Sequence, residues 1–468
     1  MFGITLNHKS EISLKRQIYT ELRNRIINGL LAEGESLPST REFARLLSVS
    51  RNTVCEAYEM LLSEGFILSR QGSATRVAKG LNILKKEPLV ISEHAIAADI
   101  PVVADFSTGQ PDLRCFPKYA WSSIFHKEIE NMPVEQCGYT GPQGLLKLRL
   151  EISSWLFRSR GIEVEHERIF ITAGATYALH LIAELLCTKD RGVLTEDPCH
   201  MGMLRVLTNK GYPIYPVPVD EYGLITDHLP KVNAAAVYVT PSHQFPLGGI
   251  LPAQRRADLI RYARENDCYI IEDDYDSEFR YCGEPVAPLY SMDKEHVIYV
   301  GTFSKILFPA LRIGYVILPN ELHGRWKYLR THTDVQNPPF EQAALAEHLG
   351  SRKLDRYVHK MRRVYGERRL VLINTLKQTF PDDELKFWGD SAGLHLAVQF
   401  KGRTFDKDFI KNCKRNGIRI NTVEHHSIDK GLHLDKLLLG YGHLEPDEIR
   451  RSVSVFHDYI NKYGKGSV

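Results

Sequence analysis

Short apolar runs recur through most of the chain: IFITAG at 169–174, AAVYVTP at 235–241, YIIEDD at 269–274, HVIYVGT at 296–302 and RIGYVILP at 312–319. Each is cut off by glycine, proline or an acid, and stretches of helical patterning lie between them. Runs that are apolar at every position, rather than alternately, suit strands buried on both faces, the environment of a parallel sheet covered by helices. The pattern predicts an α/β domain with a mostly parallel sheet over residues 105–468. A chain of 468 residues has room for a smaller domain beside it.

Toward the N-terminus the period changes. Leu14, Ile18, Leu22, Ile26 and Ile27 recur at helical spacing until Gly29 and Gly34 close the segment. In LPSTREFARLLSVSRNTVCEAYEMLLSEGF, Ser39 or Thr40 caps a short helix through Leu47, a tight turn follows at Ser48 and Val49, and a second helix opens at Ser50. Val54, Ala57, Tyr58, Leu61 and Leu62 form its core side. Two short helices joined by a tight turn make a helix-turn-helix. FILSRQGSATRVA then alternates, breaks at Gln71 to Ser73 and alternates again, which reads as a β-wing. The expectation is an α+β winged helix-turn-helix over residues 1–78, with 79–104, of mixed character, as interdomain linker.

The second helix of such a motif enters the major groove with its first residues at the base edges. Ser50, Arg51, Asn52 and Thr53 occupy that place, where Arg51 can grip a guanine and Asn52 an adenine or a phosphate. Ser39 and Arg41 sit where the preceding helix crosses the backbone, and Arg70, Gln71, Thr75 and Arg76 decorate the wing. A net charge of +3 does not choose between DNA and a protein partner for this face.

In the larger domain Asp273 ends one buried strand, Lys305 follows the end of another, and Arg312 stands beyond it. Ala173 to Thr176 leave a strand and open a helix whose free N–H groups suit a phosphate. A lysine amine for an aldehyde, an acid for a ring nitrogen and an arginine for a phosphate are the parts of a pyridoxal phosphate site. Apolar Phe303, Ile306 and Leu307 would desolvate the lysine and favour its neutral form. Spacing alone leaves open a buried Lys–Asp ion pair bridging two strands.

The composition, 43% hydrophobic and 25% charged, is that of a globular protein. No signal peptide is expected, and the uncharged stretch from Val232 to Gln254 is broken by Pro241 and Pro246, which excludes a membrane helix. Eight cysteines lack any CxxC pair, as in reduced, cytoplasmic proteins, and no metal-ligand spacing occurs.

The segment from Leu14 to Val77 resembles the winged helix-turn-helix of GntR-superfamily regulators. From Asp105 onward, SxGQPD, YxxPxGxxxLR, TAGA, EDP, TPSHQFPLG, EDDYDSEFRY and GTFSKxLxPxLRIGY occur in the order of a fold-type I aminotransferase. Together the two resemble the MocR subfamily of GntR regulators. The resemblance implies pyridoxal 5'-phosphate as cofactor, with Lys305 at the aldehyde, Asp273 at the ring nitrogen and Tyr275 at the ring hydroxyl. It places Ala175, Thr176, Thr302, Ser304 and Arg312 around the phosphate, reached also by Tyr139 of a neighbouring subunit. His200 stands where relatives carry a ring-stacking tyrosine, and His243 and Gln244 lie in a loop that runs beside the ring. Double-stranded DNA with repeated half-sites and a head-to-tail, domain-swapped homodimer are the partners it implies.

One position departs from the family. In DKLLLGYGHL, Leu438 stands where an arginine would fix a substrate carboxylate, and Gly202 adds no charge. Efficient transamination is therefore not expected, and the chain reads as a sensor rather than an enzyme. The expected effector is the cofactor itself, as in vitamin B6 regulators of this subfamily, acting on the spacing of half-sites that the two reading heads span. The alternatives are an amino-acid or amine effector, such as a GABA-like or D-alanine-like compound, and a working aminotransferase.

Overall fold

The computed structural model describes residues 4, 6–8, 10–70, 73–81, 100–283 and 286–463. The chain divides into two units, residues 1–99 and 100–468, each with its own core.

In the first unit, helix α1 (Leu14–Ile27) buries Ile18, Tyr19, Leu22 and Ile26. Helix α2 (Thr40–Leu47) begins at Ser39, whose hydroxyl accepts from the Glu42 N–H and so satisfies a donor left free at a helix start. It ends at Ser48, in the left-handed region at φ 54°, and Ser50 caps α3 (Arg51–Ser63) through the Thr53 N–H. Helix α3 packs Val54, Ala57, Tyr58 and Leu61 into the core. Leu62, expected among them, is 38% exposed, because each residue turns about 100° around a helix and Leu61 already points inward. Strands β1 (Ile67–Leu68) and β2 (Arg76–Val77) pair antiparallel at the base of the wing. Gln71 and residues 82–99 of the expected linker lie outside the described residues.

The second unit opens with β3 (Ala104–Asp105), α4 (Lys118–Glu130) and α5 (Leu146–Arg160). Its centre is an 8-stranded sheet. The strands are β4 (Ile169–Thr172), β5 (Gly192–Asp197), β6 (Ile214–Asp220), β7 (Gly223–Leu224), β8 (Ala234–Val239), β9 (Tyr269–Asp274), β10 (Val297–Thr302) and β11 (Gly314–Ile317). They lie in the order β4-β11-β10-β9-β8-β5-β6-β7. Neighbours from β10 to β6 are parallel. RIGYVILP, read as one more strand of a mostly parallel sheet, instead forms β11 antiparallel between β10 and β4. The connection from Thr302 to Gly314 holds only a 3-10 turn, too short for the crossover that parallel pairing needs.

Helices α6 (Ala175–Leu186), α7 (Met201–Lys210), α8 (Ala253–Glu265), α9 (His323–Thr333), α10 (Pro339–Gly350) and α11 (Lys353–Thr379) complete the layers. Alternate residues of the central strands enter two different cores. Ile271, Ile298 and Val300 join Trp326 of α9 and the apolar side of α6, whereas Ile270, Val297 and Tyr299 join Trp155 of α5 and Leu259 of α8. A second, antiparallel sheet, which the sequence pattern did not reveal, is built from β12 (Leu385–Trp388), β13 (His395–Phe400), β15 (Asn421–Thr422) and β16 (Lys436–Gly440). Near it lie α12 (Lys407–Arg415), β14 (Ile418–Arg419), which pairs with β3, and α13 (Pro446–Tyr463), which packs on α11. Among the described residues no helix is long and apolar enough to cross a membrane, and no group of side chains could hold a metal ion.

Candidate functional site

Because β8, β9 and β10 are parallel, their carboxyl ends open on one side of the sheet, where loops can converge. A cavity of about 310 Å³ lies there. Asp273 and Tyr275 reach it from the end of β9, and Thr302, Ser304 and Lys305 from the end of β10. Ala175, Thr176, His200 and Arg312 complete the sequence-predicted residues that line it.

The Lys305 amine donates to the Gly109 carbonyl oxygen at 2.7 Å rather than forming the ion pair with Asp273 that spacing leaves open. Burial lowers the pKa of the amine from its usual value, against the pull of Asp276 and Asp273, and so makes its proton easier to lose. Burial also pushes the Asp273 carboxyl up to about 7, although the Tyr238 hydroxyl donates to Oδ2 at 2.7 Å. Oδ1 is buried without a partner. An unsatisfied buried acceptor is costly, and a proton-bearing ring nitrogen arriving from the cavity would satisfy it.

At the other end, Gly174 at φ 88° precedes α6 and leaves its first N–H groups free. A β-carbon there would lie 3.0 Å from Arg312 Nη2, so glycine makes room for the guanidinium, which donates to the Ala173 carbonyl at 2.7 Å. The Ser304 hydroxyl is buried and unpartnered. Helix start, guanidinium and hydroxyl together suit a phosphate.

Two predicted residues do not line the cavity. Tyr139 is 89% exposed. His243 stands behind Tyr275: the Tyr275 hydroxyl donates to its carbonyl oxygen at 3.1 Å, and its Nδ1 lies 3.0 Å from Asp276. Gln244 braces the same loop, donating to the Pro198 and Phe245 carbonyls.

Sequence reasoning passed over Gly109, Phe245, Asp276, His395 and His426, all of which line the cavity. The first three fall within motifs already in hand, so their motifs were the signal. His395 and His426 come from the second sheet and the turn after β15, where no local pattern marks them. Leu438 is sealed with Leu247, Ala397 and Val423 in a small apolar cluster behind Phe245. Among the described residues Arg312 is the only arginine that lines the cavity.

On the first unit, Arg51 and Asn52 are exposed on the first turn of α3, and Arg51 Nε lies 3.4 Å from the Thr40 hydroxyl. The Ser50 hydroxyl serves as cap and pairs with that of Thr53 at 2.8 Å, and the Ser39 hydroxyl is likewise a cap. Arg41 is exposed on α2, as is Arg45, which the sequence reading omitted. On the wing Arg70 is exposed, Thr75 is half-buried and accepts the Leu37 N–H through its carbonyl, and Arg76 donates to the Gly34 carbonyl.

Two family models match the chain. Residues 14–77 match "Bacterial regulatory proteins, gntR family", and residues 103–427 match "Aminotransferase class I and II". The HTH-type pyridoxine biosynthesis transcriptional regulator PdxR of Corynebacterium glutamicum is 32% identical over 98% of both chains. The probable rhizopine catabolism regulatory protein MocR of Rhizobium meliloti is 29% identical over 96% of this chain and 94% of its own. Among solved structures, an archaeal alanine:glyoxylate aminotransferase superposes with a TM-score of 0.72 at 25% identity, over 77% of this chain and 91% of that one. With a gntR-family helix-turn-helix followed by an aminotransferase fold, and relatives matched along nearly their whole length, the chain belongs to the MocR subfamily of GntR transcriptional regulators.

Proposed function

We propose that this regulator, as a cytoplasmic homodimer, binds pyridoxal 5'-phosphate, senses the cofactor itself and controls genes of vitamin B6 synthesis. When bound, the cofactor supplies an aldehyde that condenses with a neutral amine, on a ring whose protonated nitrogen wants a carboxylate. The residues present fit it. Lys305, its amine pKa lowered by burial, would meet the aldehyde, Asp273 would offer the unpartnered Oδ1 to the nitrogen, and Tyr275, on the cavity wall, would lie toward the ring hydroxyl. Ala175 and Thr176 at the start of α6, with Thr302, Ser304 and Arg312, would hold the phosphate, and His200 would lie beside the ring. Tyr139, exposed and off the cavity, is assigned to the phosphate of the neighbouring subunit.

The observation that carries this reading is the place of Leu438. An amino acid needs a cation for its carboxylate, and the side chain at this position is an aliphatic one sealed behind Phe245. That argues against an amino acid and favours the cofactor as the signal, in keeping with the name of the Corynebacterium relative. The same lack disfavours turnover as an aminotransferase. The test is to titrate pyridoxal phosphate alone into cofactor-free protein and follow binding to its upstream DNA by fluorescence anisotropy at fixed salt. DNA affinity should change with the cofactor in the wild type and stay constant in Lys305→Ala. Constant affinity in the wild type would overturn the reading and turn the search to an amine or amino-acid effector.

A further inference from the structure

One side of the cavity, a histidine-lined chamber, is unlike the phosphate end. Phe245 holds the rings of His200, His395 and His426 against its own at centroid distances of 5.6, 5.3 and 4.9 Å, all edge-on. All four line the cavity. Both ring nitrogens of His426, a residue 7% exposed, are buried without a partner, as is Nδ1 of His200. His395 has its Nε2 3.2 Å from the Pro246 carbonyl, so its proton sits on that nitrogen and Nδ1 is left as an acceptor. Gly202 supports the arrangement, since a β-carbon there would lie 2.6 Å from the His200 ring.

Unpartnered imidazole nitrogens in a buried chamber offer both donors and acceptors, and such groups are costly unless something pairs with them. The three rings are uncharged near neutrality: burial pushes His200 and His395 down to about 4 and His426 down to about 3. Asp273 and Asp276 line the same cavity, while its two basic side chains, Lys305 and Arg312, belong to the cofactor on the reading above. A ligand carboxylate entering this chamber would lose its hydration with no free cation to replace it and Asp276 in the same cavity. A hydroxyl, which donates and accepts, matches neutral imidazoles without that cost.

We propose that the histidine chamber is a ligand subsite for a small primary amine bearing hydroxyl groups in place of a carboxylate. The proposal rests on the reading that pyridoxal phosphate occupies the Lys305 end, since the cofactor's aldehyde is what selects an amine there.

The test is a matched pair of probes, 2-amino-1-propanol and alanine, titrated into protein loaded with pyridoxal phosphate and freed of excess cofactor. Binding is read both by calorimetry and by the visible absorbance of the bound cofactor. The amino alcohol is expected to bind at least tenfold more tightly than alanine. His426→Leu and Gly202→Ala, the second acting by displacing the His200 ring, should each reduce that preference to threefold or less. Equal binding of the two probes, tighter binding of alanine, or binding of neither would overturn the subsite. Loss of the visible band before any probe is added would instead mean that the cofactor reading has failed.

Discussion

Lys305 and Gly109 fix one another: the lysine amine donates to the glycine carbonyl at 2.7 Å, and a β-carbon on Gly109 would sit 2.7 Å from that same nitrogen. Gly109 also holds φ at +67°, where a side chain is strained. Gly109→Ala should therefore move the amine without removing it. With about 1 kcal/mol of backbone strain added to the collision, cofactor affinity is expected to fall roughly tenfold or more. Absorbance titration measures this, with far-UV circular dichroism confirming the fold. Unchanged affinity would show that the amine position seen here is irrelevant to cofactor binding.

Asp273 gives a second expectation, with its sign set by linkage. Burial raises its carboxyl to about 7 from 3.8, so between those values the folded state holds a proton that the unfolded chain has released. Stability of the cofactor-free protein therefore falls as pH rises through that window. Asp273→Asn keeps an oxygen to accept the Tyr238 hydrogen bond and removes the ionisation. The variant should be more stable than the wild type at pH 8 without cofactor, by about 2 kcal/mol, and should bind cofactor more weakly. Thermal melts at pH 5 and pH 8 decide it; a variant less stable at pH 8 would contradict the argument.

What could be seen in the sequence was whatever local pattern encodes. The strand ends carrying Asp273 and Lys305 were legible because strands buried on both faces are apolar throughout and their ends are abrupt. The caps at Ser39 and Ser50 were legible because hydroxyls at helix starts have a specific job. His395 and His426 were not, since they approach from the second sheet and a nearby turn, and only the three-dimensional path of the chain brings them beside Phe245. The direction of β11 was hidden for a similar reason: its apolar run looks the same whichever way it pairs. The displacement of His243 behind Tyr275 is a matter of side-chain packing, which a loop motif does not specify.

The His243–Asp276 pair makes stability depend on pH in the opposite sense from Asp273. Burial lowers the His243 pKa, but the Asp276 carboxylate, at 3.0 Å, outweighs it and the net shift is upward from 6.5. Arg280 opposes the charge, and the Tyr275 hydroxyl and His395 ring face it from the other elements. The stabilisation is thus fully present below pH 6.5 and is lost as pH rises through the folded-state value. Asp276→Asn should lower the melting temperature of the cofactor-free protein by several degrees at pH 6 and by much less at pH 9. Equal losses at both would show that the pair acts by shape rather than charge.

For the DNA-reading unit, position on the helix separates two kinds of contact. Arg51 is exposed on the first turn of α3, the part of such a helix that reaches base edges, and its nearest side-chain partner is a hydroxyl at 3.4 Å, a contact weak enough to give up. Arg41, exposed on α2, is placed for the phosphate backbone. Arg51→Ala should cost about 1–3 kcal/mol on the operator and far less on unrelated DNA. Arg41→Ala should weaken both alike and reduce the slope of log affinity against log salt by about one. Neither change should alter the absorbance titration with pyridoxal phosphate, because neither residue lies in the unit that holds the cavity. Anisotropy on specific and scrambled DNA across a salt series separates the two roles, and an Arg51→Ala defect of equal size on both DNAs would remove this residue from base reading.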